Sequence, residues 1–180
     1  MKPPIAVVLL LLVALAIPVL ATAGSDDKID DQTREMLRQV RLATEKYKDV
    51  KVAERDGFRA PPSCSESGDD SGAMGLHYTN VKRMQDPKID LLKPEELLYE
   101  PQPNGKPPKL VGVEYFQAST GQRPPNTAFG HLDGPMPGHF PGMPTHFDLH
   151  VWIYRHNPEG VFEIWNENVS CAAGKTGAEG

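Results

Sequence analysis

The chain has 180 residues, with 19 Lys and Arg against 24 Asp and Glu for a net charge of −5. That balance argues against a nucleic-acid binder, which needs a basic stripe to meet phosphates. Two cysteines, with no CxxC pair and no third thiol, exclude a thiolate zinc cluster, while eighteen prolines and sixteen glycines assign much of the chain to loops.

Lys2 is followed by an apolar run over residues 5–20 and by Ala21-Thr22-Ala23 before Gly24. This charged, apolar, small-x-small order is that of a cleavable secretory signal. Pro18 and the small residues at 21 and 23 favour cleavage over a retained membrane anchor. Residues 1–23 therefore read as a signal peptide. Residues 24–180 read as a single exported domain, periplasmic or secreted, with no stable membrane span after cleavage. In an oxidising compartment the even cysteine pair reads as a disulfide, Cys64 with Cys171.

Met36, Val40, Ala43, Tyr47, Val50 and Ala53 recur every three or four positions, so residues 31–56 predict one amphipathic helix. Asp30 or Asp31 caps its start, and Gly57 before Phe58 supplies a left-handed stop. A Pro/Ser/Gly/Asp-rich loop over 59–72 carries Cys64, and residues 73–80 form a short strand. Pro94-Glu95-Glu96 starts a helical turn leading to Leu97-Leu98-Tyr99-Glu100. Residues 110–117 are a strand, joined back to 97–100 as a hairpin through Asn104-Gly105. Residues 118–145 show no period and make a long loop, of the kind that serves as a lid. Residues 147–155 and 161–165 read as paired strands around the turn Asn157-Pro158-Glu159-Gly160. With no repeat and no βαβ alternation, the class is α+β: one long N-terminal helix packed on a mainly antiparallel, loop-rich sheet.

In the strand 146–154, alternation places Phe147, Leu149, Val151 and Ile153 on one face and His146, Asp148, His150, Trp152 and Tyr154 on the other. Two histidines and a carboxylate beside two aromatics are unusual for a solvated face, which favours Lys, Glu or Thr. His146 and His150 lie about 13 Å apart on a strand, so Asp148 with His150 is the easier pair, and His146 joins only if the chain bends near Pro144. His77 and Glu114 likewise interrupt apolar, strand-like segments, and Gly112 on the face of Glu114 leaves room above the sheet. A lone ionised glutamate there costs several kcal/mol unless it finds a partner. His77, Glu114 and His150 make a set of two imidazoles and a carboxylate, suited to zinc with an open position or to non-haem iron or manganese. Arg123, Lys109 or a histidine are the structural partners that Glu114 would otherwise have. His131 and His139 lie in the long loop as extra ligands, and Met136, Met143 and His139 together point to copper.

Met74-Gly75-Leu76-His77-Tyr78, Pro94-Glu95-Glu96-Leu97-Leu98-Tyr99-Glu100-Pro101, Val113-Glu114-Tyr115, Leu149-His150-Val151-Trp152 and Asn157-Pro158-Glu159-Gly160-Val161-Phe162 carry a resemblance. Together they resemble a family of uncharacterised bacterial exported proteins, over most of the chain after Gly24. The resemblance implies export and the extent of the domain, and no activity. Two functions remain open at this level. One is a metal-binding protein, or a metalloenzyme, using His77, Glu114 and His150 with His146 or Asp148 in support. The other is a non-catalytic module that binds a small molecule or peptide in a cleft lined by Tyr99, Tyr115, Trp152 and Tyr154.

Overall fold

A computed structural model describes residues 29–61, 63–139 and 142–174, so the signal-peptide reading of residues 1–23 lies outside the described residues. The class is mixed α+β. The helical periodicity emerges in two pieces rather than one: α1 (Asp31–Thr44), which tightens into a 3-10 turn at Glu45–Lys48, and α2 (Val50–Arg55). Asp30 caps α1 by accepting from the Thr33 N–H. The break falls at Asp49, whose backbone is extended and whose side chain caps α2 by accepting from the Lys51 N–H. The Tyr47 carbonyl, released from the helical ladder, accepts a buried hydrogen bond of 2.5 Å from the Tyr99 hydroxyl. Gly57 at φ +100° ends α2, and the Phe58 N–H returns to the Ala53 carbonyl while the Phe58 ring is fully buried.

The strands are β1 (Ser65–Glu66), β2 (Ala73–Thr79), β3 (Glu96–Glu100), β4 (Lys109–Ala118), β5 (Asn126–Thr127), β6 (Gly130–His131), β7 (Asp133–Met136) and β8 (His146–Val151), with the short helix α3 (Val81–Met84) after β2. Six strands form one antiparallel sheet in the order β1-β2-β3-β4-β8-β7, and β5 pairs with β6 alone. Three sequence expectations change here. Glu96 is the first residue of a strand rather than part of a helical turn. The stretch 118–145 contains β7, which joins the main sheet beside β8. Residues 161–165 form no strand, because beyond the Trp152 N–H to Val161 carbonyl bond they meet no ladder.

Cross-strand register decides which side chains share a face. Tyr78, Leu97, Val113 and Val151 lie opposite one another in turn, and they belong to the main apolar core together with Val40, Tyr47, Val50, Ala53 and Phe58. Thr79, Glu96, Glu114 and His150 form the next row across the same four strands. The pleat alternates, so this row faces away from the apolar core. A smaller apolar cluster of Ala73, Leu98, Val111, Trp152, Val169 and Cys171 lies toward one end. There the Cys64–Cys171 disulfide closes a span of 107 residues. No helix among the described residues is long and apolar enough to cross a membrane.

Candidate metal centre

Apart from the half-buried Thr79, the polar row is buried as thoroughly as the apolar one. Glu96, Glu114 and Asp148 are each 2 % exposed, and His146 and His150 are equally enclosed. Buried carboxylates normally pair with Lys or Arg, but the ion-pair contacts of Glu114 and Asp148 all come from histidines. His77, Glu114 and His150, drawn from β2, β4 and β8, converge: His77 Nε2 lies 3.1 Å and His150 Nε2 3.5 Å from the same oxygen, Glu114 Oε2. One ligand atom from each of the three falls within 4.8 Å of the others. Ligands at about 2.1 Å from a tetrahedral ion are about 3.4 Å from one another, so these spacings are those of a coordination shell.

The contacts are not hydrogen bonds. Glu114 Oε2 and His150 Nε2 are buried without any hydrogen-bond partner, although each faces an atom at close range. Burial, with Asp148 adding its negative charge, raises the Glu114 pKa far above the ordinary carboxylate range. Burial pushes His150 down to about 3, against the opposing pull of Asp148, so its ring is neutral and its lone pair available. Glu96, across the ladder from Glu114, is pushed up to about 8 by burial and by the Glu114 charge, and its carboxyl accepts from the Thr79 hydroxyl at 2.8 Å. The His77 side chain retains 18 % exposure, which leaves this corner open to solvent.

The expected room above Gly112 is occupied. A Cβ there would meet the Val151 carbonyl at 2.9 Å and Leu98 and the Trp152 ring at 3.2 Å. Glycine thus admits the Trp152 ring, which stacks on His150 with centroids 6.2 Å apart and seals the buried end of the site.

Asp148 turns to His146 rather than to His150: His146 Nε2 is 3.4 Å from Asp148 Oδ2. His139, from the segment after β7, brings its ring to 5.0 Å from that of His146. His139, His146 and Asp148 make a second group with ligand atoms mutually within 4.8 Å. His146 therefore does not join His77 and His150, consistent with the strand spacing. Met143 Sδ accepts from the His139 N–H at 3.4 Å, whereas Met136 lies opposite His146 in the β7–β8 register. His131 is exposed on β6, and His156 is exposed near the turn.

Among the described residues, the four aromatic side chains line no common cleft. Tyr99 and Tyr115 are fully buried, and their hydroxyls donate to the Tyr47 and Leu91 carbonyls, so both are core residues. Trp152 is enclosed and donates to the Glu163 carbonyl, while the half-buried Tyr154 donates to the Arg41 carbonyl. A shallow hollow beside Trp152 is lined by Arg34, Leu37, Arg41, Ile153 and Val161 and includes none of the three tyrosines. Two buried carboxyl groups escape sequence reasoning, those of Glu95 and Glu96. Glu95 is buried, accepts from the Phe116 N–H at 3.1 Å, and is pushed up to about 8 chiefly by burial. The signal that would have exposed them is the pairing of Glu96 with Glu114, visible only once β3 is aligned with β4. Comparison with family models, with curated proteins and with solved structures finds no match.

Proposed function

We propose that this chain is an exported metal-binding protein in which His77, Glu114 and His150 hold one divalent transition-metal ion. The observation that carries the reading is a pair of buried atoms, Glu114 Oε2 and His150 Nε2, that face each other at 3.5 Å with no hydrogen bond to either. Two bare acceptors held this close in a buried site are costly, and a positive charge between them, supplied by a proton on Glu114 or by a bound cation, removes the cost. Two imidazoles and one carboxylate suit zinc with an open position, or iron or manganese. The ion would displace the proton that burial otherwise keeps on Glu114, with His150 already neutral. The open position falls toward His77, the solvent-facing corner, where a bound water or small ligand would be polarised. Glu96, hydrogen-bonded to Thr79, is placed to orient Glu114 from behind. The Cys64–Cys171 disulfide supports an oxidising compartment.

The reading is tested by melting wild type and His150→Ala at pH 7.5 with and without a chelator, alongside elemental analysis of protein purified from its native compartment. The expected result is a bound transition metal and a wild-type melting temperature that drops on chelation, with no drop in His150→Ala. A wild-type melt indifferent to the chelator, with no metal bound, overturns it.

A further inference from the structure

The second histidine group is built like the first but from different residues, and it has its own orphaned atom. His146 is fully buried in β8, and its Nδ1 lies 3.0 Å from the Pro144 carbonyl. A carbonyl only accepts, so Nδ1 carries a proton and Nε2 is the ring atom turned toward the Asp148 carboxylate. That atom has no hydrogen-bond partner. Against the downward push of burial, Asp148 and the Pro144 carbonyl pull the ring's pKa up, so the space between Nε2 and the carboxylate oxygen 3.4 Å away favours a positive charge, a proton or a metal ion. The backbone bond at Nδ1 is also the device that fixes the tautomer and orientation of metal-ligating histidines. His139 approaches the same space from the chain segment preceding β8 and completes a third ligand. Phe116 stacks on the His146 ring with centroids 4.8 Å apart and closes the buried side.

We infer that the sheet face carries a second cation site, formed by His139, His146 and Asp148, that binds a transition-metal ion of its own. This inference extends the reading of the same face as a metal centre. His146, Asp148 and His150 occupy consecutive positions on one face of β8, about 6.6 Å per repeat. Asp148 faces His146, and Glu114 faces His150, so neither carboxylate is shared. Each group therefore has a carboxylate and a ligand set of its own, so removing a ligand of one leaves the ligands of the other in place. The sites also differ in access. The first is open at His77, which belongs to a strand, whereas the second is completed by His139, an exposed residue outside any strand.

The test is titration of the metal-free full chain with Co2+ and with Zn2+, followed by metal content after desalting. Wild type should bind two equivalents, and His139→Ala and His146→Ala one each, the second equivalent being lost on desalting. Because His139 is exposed, its truncation leaves the fold intact and keeps the result readable even if His146→Ala unfolds. His150→Ala should lose the other equivalent and keep the one that His139→Ala removes. A single equivalent, lost in His150→Ala and retained in both His139→Ala and His146→Ala, overturns the second site and leaves the first standing. A single equivalent with the reverse pattern overturns the first and leaves the second. No bound ion overturns both.

Discussion

The two faces of β8 are equally hidden from water and differ in every other respect. Phe147, Leu149 and Val151 are buried in an apolar core whose cohesion is the ordinary gain of removing apolar surface from water. His146, Asp148 and His150, one residue out of step, are buried with two nitrogen atoms that have no hydrogen-bond partner. The first face explains why the chain folds. The second buries polar atoms that gain nothing from the hydrophobic effect, and so it is the face to read for function.

The largest effect should come from the apolar face. Phe147→Ala removes a fully buried ring and should destabilise the protein by about 4 kcal/mol in denaturant unfolding, with or without metal. A loss that depends on added metal would break the distinction between the faces.

The next effect is a pH dependence. The folded-state pKa of Glu95 is raised to about 8 from an ordinary 4.5, so the folded form holds its proton more tightly than the unfolded one. Its stabilising share is fully present below pH 4.5 and is lost as pH rises to about 8. In the metal-free protein, Glu95→Gln should therefore gain steadily on wild type between those limits, measured as the difference of two stability–pH curves. Parallel curves would mean that Glu95 is not held in the low-dielectric environment described. His150 has the opposite sign: its depressed pKa gives stability that is present above pH 6.5 and lost as pH falls toward about 3.

A smaller effect, but one of unusual sign, belongs to Glu114. Replacing a buried ionisable group by an apolar one of similar volume is often neutral or stabilising. Glu114→Leu should raise the stability of the metal-free protein at pH 7.5 by about 1–2 kcal/mol while abolishing metal-dependent stabilisation. Loss of stability in the metal-free state would place Glu114 among structural residues and blur the contrast between faces.

Much of this contrast was legible in the alternation of the strands. His77, Glu114 and His150 announce themselves because each interrupts an apolar run, where a polar side chain needs a partner. Their convergence then depends only on β2, β3, β4 and β8 being neighbours. Glu95 and Glu96 were hidden because Pro-Glu-Glu has the local chemistry of a helix start, and only the pairing of Glu96 with Thr79 and Glu114 makes it a strand. His139 could not be placed from sequence, since its position comes from tertiary structure around Pro144 rather than from a period. The tyrosines misled for a related reason. A strand tyrosine looks the same whether it lines a cleft or spends its hydroxyl on a carbonyl, as Tyr99 does on Tyr47 across 52 residues of sequence. The unbroken helix over 31–56 failed at Asp49, where capping of a new helix and capture of the Tyr47 carbonyl outweighed the apolar period.

The central claim is that an ion belongs between three named atoms, and crystals of the full chain grown with Zn2+ test it through an anomalous difference map at the zinc edge. The expected result is a peak about 2.0–2.2 Å from His77 Nε2, Glu114 Oε2 and His150 Nε2. No peak there, with His77 or His150 instead donating a well-aligned hydrogen bond to Glu114, would contradict it.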